Sequence, residues 1–268
     1  MSFHLSALHL FPIKSCAPLS LSHADVEPRG LAHDRRWMVV DENAKFITGR
    51  EVAGLTLLRA VPLDDAGTLR LDAPGMPALV LTPPTTGTRR TVTVWSNTVD
   101  ALPADVAANE WISSFLQRQA QLVYMDALAV RSVDPKYAQP DDVVSFADAY
   151  PLLLISQAAL DHLNTQLAAP VPMLRFRPNL VVSGTTPHAE DEWKRVRIGE
   201  VEFDLVKLCT RCVFTTVDFE RGERDPSGEP LRTLITYRRS PNGVTFGQNL
   251  IPRGSGTLRV GDPVTVLA

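Results

Sequence analysis

A succession of short runs in which apolar and polar residues alternate, broken by proline and glycine, constrains the fold most strongly. Such runs occupy residues 5–11, 36–40 and 91–95, and the chain of 268 residues contains 21 prolines and 15 glycines. Alternation with a period of two is typical of strands that bury one face, and proline and glycine mark the turns between them. The pattern therefore predicts a sheet or barrel in the first third of the chain. Further strands are predicted at residues 55–61, 69–71 and 79–81.

The middle of the chain carries signals for two helices. Asp105 is a good N-cap residue, and apolar residues at helical spacing follow it. A second helix is predicted to start near Ser156. Residues 117–124 are predicted to leave the first helix for a strand, and residues 131–143 to form a long loop.

Strand signals return in the last third. Residues 196–205 and residues 258–266 each have the pattern of strand, turn and strand, and the β-branched run 213–218 is strand-like as well. The sequence thus predicts two closely joined β-rich units with a few helices, residues 1–120 and residues 121–268.

The charge balance excludes several classes of protein. With 27 basic and 30 acidic residues, the net charge is -3, whereas a nucleic-acid or membrane-surface binder carries a net basic footprint. The longest apolar run, around residues 151–155, is too short to span a bilayer, and the N-terminus lacks the pattern of a secretory signal. We therefore expect a cytoplasmic protein that binds neither nucleic acid nor membranes.

The three cysteines are too few for a disulfide scaffold, a four-cysteine zinc site or an iron–sulfur cluster. Cys209 and Cys212 form a Cys-x-x-Cys pair, but the helix that a thioredoxin-like pair requires is not predicted after it. Two interpretations stay open at this point. In the first, both cysteines are small buried residues in the core. In the second, one of them is a thiolate, favoured by the neighbouring Arg211, and is a ligand for a soft transition metal.

Basic and amide side chains stand next to several strand ends. Lys14 and Ser15 follow the first strand, and Arg35 opens the second. Arg177 and Asn179 precede a later strand. An ammonium, guanidinium groups and a hydroxyl suit a phosphate or another oxyanion, although each segment taken singly also fits a polar surface turn.

Residues 246–249 combine an aromatic residue, a glycine and two amides. Gly247 either lets the backbone approach a ligand closely or forms a β-bulge near a strand end. In the first case, Gln248 and Asn249 would supply donors and acceptors for a heterocycle.

Five segments in one order carry a family resemblance: FPIKSC at residues 11–16, DRRW at 34–37, FRPN at 176–179, CTRC with a following TTVD within 209–218, and VGDPV at 260–264. Each segment is short, but the five in this order are specific. They resemble the MOSC family of molybdenum-cofactor-sulfurase C-terminal-like domains, and within it the amidoxime-reducing components and their bacterial counterparts. The resemblance covers essentially the whole chain.

The resemblance implies an α+β, β-rich fold, in which an N-terminal β-barrel-like domain packs on a MOSC β-barrel core with a few peripheral helices. It further implies a bound molybdenum cofactor, Mo-molybdopterin, with Cys212 as the catalytic residue and metal ligand. The positions that match cofactor-binding residues are Lys14, Ser15 and Arg35 at the terminal phosphate of the pterin, Arg177 and Asn179 at the pterin itself, and Asp148, Arg211, Gln248 and Asn249 elsewhere around the site. Ala149-Tyr150 departs from the small hydroxyl residues expected after Asp148.

The implied function is that of an oxidoreductase that reduces N-hydroxylated or N-oxidised small molecules. Since the last cysteine is Cys212, electrons are expected from a separate protein such as a ferredoxin, a flavoprotein or a cytochrome. Two alternatives stay open: a cofactor or sulfur carrier that bears a persulfide on Cys212, and a non-catalytic anion-binding module that uses Lys14, Arg35 and Arg177.

Overall fold

A computed structural model describes residues 2–268 and shows a strand-rich α+β protein, which confirms the predicted fold class. The strands of the first part are β1 (His4–Leu10), β2 (Leu19–Leu21), β3 (His23–Glu27), β4 (Gly30–Leu31), β5 (Trp37–Val40), β6 (Arg59–Pro62), β7 (Leu69–Asp72), β8 (Leu79–Leu81), β9 (Arg90–Val94) and β10 (Asn97–Pro103). The later strands are β11 (Gln121–Tyr124), β12 (Leu152–Ser156), β13 (Leu180–Ser183), β14 (Arg195–Ile198), β15 (Val201–Thr210), β16 (Val217–Asp218), β17 (Glu223–Arg224), β18 (Arg239–Ser240), β19 (Gly243–Pro252), β20 (Gly256–Arg259) and β21 (Val264–Val266). The α-helices in these residues are α1 (Val106–Leu116), α2 (Gln157–Asn164) and α3 (Leu231–Tyr237), and the 3₁₀ helices are Ala53–Leu57, Met173–Phe176, Ala189–Glu192 and Val213–Thr216.

The largest sheet has the strand order β2-β1-β13-β12-β19-β15-β14-β21, with β18 pairing on β19. Adjacent strands within this sheet are antiparallel, except for the parallel pair β12 and β13. Consecutive residues of β12 enter different apolar clusters, Leu154 with Leu250 on one side and Ile155 with Phe246 on the other. This central strand is therefore buried on both faces, which explains why its sequence is continuously apolar.

Smaller sheets form the unit between β4 and β12. Strands β5, β11, β10 and β9 make one sheet in the order β5-β11-β10-β9, and β6, β7 and β8 make another. Trp111 and Ile112 of α1 pack with Trp37 and Leu71 in the core of this unit. The helical spacing of apolar residues after Asp105 thus becomes the buried face of α1.

Hydrogen bonding crosses residue 120 in both directions. Strand β11 lies just after it but pairs with β5 and β10 of the first part. Strand β1, at the N-terminus, pairs with β13 of the large sheet. The division at residue 120 stays a prediction, and strands from the two sides of this residue pair with each other.

Both predicted helix starts lie at the expected residues. The Asp105 carboxylate accepts a hydrogen bond from the Ala108 amide at 2.8 Å, and the Ser156 hydroxyl accepts one from the Ala159 amide at 3.2 Å. Helix α3, only seven residues long, was not predicted. No helix within residues 2–268 combines the length and apolar character needed to cross a membrane.

Two predicted strand segments and one predicted hairpin have a different structure. Residues 53–57 and 213–216 are 3₁₀ helices, in which Thr56 and Thr216 donate side-chain hydrogen bonds to carbonyls three residues back. Short hydroxyl side chains that satisfy nearby carbonyls favour such turns over a strand ladder. Strands β20 and β21 exist, but they do not pair as a hairpin: β20 pairs with β3 and β21 with β14.

Gly247 in β19 is expected to be irreplaceable. Its φ is +82°, and an added Cβ would lie 2.6 Å from Ile155 Cγ1 and 2.7 Å from the Leu154 carbonyl oxygen. Gly247→Ala should therefore lower the free energy of unfolding by about 3 kcal/mol, because backbone strain and overpacking add. Urea unfolding measures the loss, with Gly254→Ala as the control, since a Cβ on Gly254 would meet nothing within 4 Å. Equal unfolding midpoints for the two variants would contradict this expectation.

Candidate functional site

A cleft that is partly open to solvent lies beside the central strands β12, β15 and β19. Its walls come from the loop after β1, from residues 147–150 before β12, and from residues 175–179 and 209–215. Arg35 and Arg50, from the loops before and after β5, also line the cleft. Segments that are distant in sequence therefore converge on one concave surface, which is the usual setting of a binding site.

The charge of the cleft is opposite to that of the whole chain. Of the described residues that line it, six are cationic and one, Asp148, is acidic. The cations are Lys14, Arg35, Arg50, Arg175, Arg177 and Arg211. A concave site with this excess of positive charge favours an anionic ligand, although the chain as a whole carries a net charge of -3.

Lys14 and Asp148 form an ion pair within the cleft. The Lys14 ammonium donates to Asp148 Oδ1 at 2.5 Å and to the Phe146 carbonyl at 2.8 Å. Burial lowers the pKa of Lys14 to about 8, although the Asp148 carboxylate opposes the shift. The surrounding walls of the cleft oppose ionisation of Asp148, but Lys14 and then Arg50 outweigh this effect and hold the pKa of that carboxyl below its usual range. Both groups are consequently charged at pH 7.

Arg131 fixes the segment that carries Asp148. Its buried guanidinium donates to the carbonyls of Ser145, Ala147 and Asp148 at 3.0, 2.5 and 2.7 Å. Three carbonyls held by one planar group leave this segment little freedom. The Asp148 carboxylate, by contrast, is 69% exposed and faces the cleft.

A buried hydrogen-bond network positions Arg35. Asp34, which is fully buried, accepts a hydrogen bond from the Phe11 amide at 3.0 Å and pairs with the Arg35 guanidinium. Arg35 also donates to Asn179 Oδ1 at 2.8 Å, and Asn179 Nδ2 donates to the His9 carbonyl at 3.1 Å. The Asn179 side chain thereby joins β1 to the loop after Arg177 and holds the guanidinium at the cleft.

Three non-glycine residues of the cleft have left-handed backbone conformations: Ser15, Arg35 and Arg177, with φ of 68°, 49° and 55°. Such conformations cost about 1–2 kcal/mol each and persist where surrounding contacts enforce them. Their concentration on one cleft indicates that the backbone there is shaped for binding.

Two buried guanidinium nitrogens lack a partner among the described residues. Arg177 Nη1 donates to the Cys16 carbonyl at 2.7 Å, but Nη2 is unpaired. Arg211 donates to the Phe176 carbonyl at 2.6 Å and contacts Cys209 Sγ at 2.9 Å, whereas its Nε is unpaired. Since an unsatisfied buried donor is costly, these N–H groups suit the acceptor atoms of a bound ligand.

The three cysteines have different surroundings. Cys212 lines the cleft at the start of the 3₁₀ helix Val213–Thr216, and its carbonyl accepts hydrogen bonds from the Thr215 amide and hydroxyl. Cys209 also lines the cleft but packs against the apolar cluster around Phe246. Cys16 is buried, and burial raises the pKa of its thiol to about 12. Cys16 is therefore unsuited to act as a thiolate.

Nine of the ten residues predicted to act at the site line the cleft: Lys14, Ser15, Arg35, Asp148, Arg177, Asn179, Arg211, Cys212 and Asn249. Gln248 is not among the residues that line the cleft, and its assignment to the cofactor stays a prediction. Its side chain is 3% exposed and donates to the Asp191 carbonyl at 3.1 Å. Consecutive strand residues face opposite sides, so only one of Gln248 and Asn249 can reach the cleft. Asn249 lies there, and its Nδ2 donates to the Lys207 carbonyl at 3.1 Å.

In the sequence, Arg50 is one more loop arginine with no specific role, although it lines the cleft. The one feature of the sequence that points to Arg50 is the glycine before it. The structure shows why residue 49 is a glycine, because a Cβ there would lie 2.4 Å from Phe214 Cε2. A glycine beside an arginine in a loop is consistent with close packing at a site, but the sequence does not show what packs there.

The affinity of the cleft for an anion is expected to fall as the pH rises through about 8, the pKa of Lys14. An anion prefers the protonated ammonium, so loss of that proton should weaken the binding of sulfate up to about tenfold between pH 7 and pH 9. Calorimetric titration of the cofactor-free protein with sulfate, which does not titrate in this range, measures the effect. Lys14→Met should bind weakly with a flat profile, and a flat wild-type profile would contradict the assignment.

Comparison with known proteins matches both parts of the chain. Residues 2–119 match the MOSC N-terminal beta barrel domain, and residues 141–265 match the MOSC domain. The fold and the basic cleft with its thiol thus belong to a protein of the MOSC family, and the resemblance noted in the sequence is confirmed.

Within this family, the chain belongs with the amidoxime-reducing components. It is 37% identical over 279 residues to "Mitochondrial amidoxime-reducing component 1" of Mus musculus, covering 98% of this chain and 82% of that protein. The protein of the same description from Homo sapiens is 33% identical over 282 residues, with the same coverage. "Molybdenum cofactor sulfurase" of Oryza sativa subsp. japonica is 30% identical over 262 residues, which cover 91% of this chain but 32% of that protein.

Proposed function

We propose that this protein binds a molybdenum cofactor and uses it to reduce N-hydroxylated small molecules such as amidoximes. The observation that carries the proposal is the convergence of six cations and the Cys212 thiol on one cleft. The similarity to amidoxime-reducing components over 98% of the chain supports the choice of substrate.

The residues of the cleft fit such a cofactor. Lys14, Ser15 and Arg35 offer an ammonium, a hydroxyl and a guanidinium to the phosphate end of a pterin. The unpaired nitrogens of Arg177 and Arg211 suit the acceptor atoms of the pterin or its phosphate. The Cys212 thiolate is the kind of soft ligand that molybdenum accepts.

The chemistry divides between cofactor and protein. When bound, the cofactor supplies the two-electron redox chemistry, and the overall change is R–NHOH + 2 H⁺ + 2 e⁻ → R–NH₂ + H₂O, in which the N–O bond breaks. The ionised and exposed Asp148 accepts a hydrogen bond from the substrate's hydroxyl or amino group and orients it. Lys14 holds Asp148 in place through their ion pair. The electrons come from a separate ferredoxin, flavoprotein or cytochrome.

The second candidate is a carrier of sulfur or cofactor. The similarity to the rice molybdenum cofactor sulfurase over 91% of this chain favours it. In that case, Cys212 would bear a persulfide, and no N-hydroxylated compound would be reduced with any electron donor.

Metal analysis combined with turnover tests the proposal. The protein is purified from a host that makes the cofactor, its molybdenum is measured, and chemically reduced viologen and benzamidoxime are supplied anaerobically. Stoichiometric molybdenum and benzamidine formation are expected. A persulfide on Cys212 without benzamidine would favour the carrier, and anion binding without metal, persulfide or product would favour a non-catalytic module.

A further inference from the structure

Arg50 differs from the other five cations of the cleft. Lys14, Arg35, Arg175, Arg177 and Arg211 each donate side-chain hydrogen bonds to the protein. The Arg50 guanidinium lines the cleft, yet within residues 2–268 it makes neither a side-chain hydrogen bond nor an ion pair. Its donors are therefore available to a ligand.

The Arg50 guanidinium rests on an indole ring. Its Cζ lies 4.0 Å from the centre of the Trp95 ring, in cation–π contact. The Trp95 indole N–H donates to Asp148 Oδ1 at 3.4 Å, and its ring lies 5.1 Å from that of Phe46. Arg50 lines the cleft, whereas Trp95 is 40% exposed and lies outside the lining, so the stacked pair lies at the mouth of the cleft.

The backbone on both sides of this contact is fixed. The Arg50 carbonyl accepts a hydrogen bond from the Arg224 guanidinium, and Gly49 packs directly on Phe214. Trp95 lies in the turn between β9 and β10 with a φ of +56°. Arg50 and Trp95 thus come from different loops, and each loop is held in place by further contacts.

A guanidinium that stacks on an aromatic face keeps the N–H groups of its edge free. Those N–H groups form a planar fork that matches carboxylate and phosphate oxygens in two parallel hydrogen bonds. Because the stack already restricts the side chain, less rotamer freedom is lost on binding.

We infer that Arg50 and Trp95 form an oxyanion subsite at the mouth of the cleft, which selects N-hydroxylated substrates that carry a carboxylate or a phosphate-like group. The inference rests on the proposed function for the reacting end of the substrate. It assigns recognition of the opposite, anionic end to Arg50, with Trp95 as its positioning residue.

Calorimetric binding of para-substituted benzamidoximes to the purified holoprotein tests the subsite without turnover. The 4-carboxy and 4-phosphono compounds carry the anion, and the 4-carbamoyl compound is a neutral match for the carboxylate. The wild type should bind the anionic compounds roughly tenfold more tightly than the carbamoyl compound, as expected for a charge-assisted pair. The larger of the two preferences identifies the oxyanion that fits better.

Arg50→Gln should reduce that preference to about one, whereas Arg59→Gln, on an exposed arginine outside the cleft, should retain it. Trp95→Leu should lose much of the preference, and Trp95→Phe, which keeps an aromatic face, should recover it. Unfolding midpoints confirm that each variant is folded. A wild type without a preference for the anionic compounds, or an Arg50→Gln variant that keeps the wild-type preference, overturns the inference.

The two proposals fail in different ways. If the wild type reduces none of these compounds but shows an Arg50-dependent preference in binding, the proposed function fails and the subsite stands. If benzamidoxime is reduced while Arg50→Gln keeps the wild-type preference, the subsite alone fails.

Discussion

Replacing Cys212 by serine is expected to lower the rate of amidoxime reduction at least about 100-fold. A hydroxyl is a harder and poorer ligand for molybdenum than a thiolate, and substitutions beyond the direct ligands already cost about 10–100-fold in metal sites. The measurements are kcat for benzamidine formation and the molybdenum content of the purified variant. If the Cys212 sulfur binds the metal, the variant should lose both its activity and its molybdenum.

Cys209→Ser is the matched control, because Cys209 also lines the cleft only three residues away. Its sulfur accepts a contact from Arg211 at 2.9 Å, which a serine hydroxyl can also accept. This variant should therefore keep most of its activity and molybdenum. Equal losses in the two variants would show that Cys212 has no special role.

Arg35→Met is expected to destabilise the protein by about 3 kcal/mol and to abolish cofactor retention. Asp34 is fully buried and the Arg35 side chain is 11% exposed, so removing the guanidinium leaves a buried carboxylate without its charge partner. Burial already raises the pKa of Asp34, and Arg35 opposes that shift. Urea unfolding of the cofactor-free protein separates the stability effect from cofactor loss.

The double variant Asp34→Asn/Arg35→Met tests the physical reason for this loss. With no charge left buried at these two positions, it should be more stable than Arg35→Met alone, although the hydrogen bonds of Arg35 are absent in both variants. Arg59→Met, on an exposed arginine, provides the control. If Arg35→Met lost no more stability than Arg59→Met, the buried pair would not contribute as described.

Much of the fold was predictable because its signals are local. Alternating runs became β1, β5 and β9, and Asp105 and Ser156 cap helices as expected. The pairing of β20 with β3 was not predictable, since it joins residues more than 200 positions apart while a turn signal suggested a nearby partner. Tertiary contacts decided this pairing, and local pattern carries no information about them.

The site was predictable where residues of fixed chemistry adjoin strand ends, as with Lys14 and Cys212 after a strand and Arg177 before one. Gln248 and Asn249 both carry side-chain amides, so their chemistry does not show which of them faces the cleft. The register of β19 decides this. The role of Trp95 was not predictable from the sequence either, because its contact with Asp148 joins residues 53 positions apart. Its role depends on packing between loops.

X-ray absorption at the molybdenum K edge measures whether the Cys212 sulfur is a ligand of molybdenum. The spectrum counts the sulfur neighbours of the metal in the wild type and in whatever metal-loaded fraction of Cys212→Ser can be collected. We expect one sulfur neighbour fewer in Cys212→Ser than in the wild type, and no change in Cys209→Ser. The same number of sulfur neighbours in the wild type and in Cys212→Ser would contradict it.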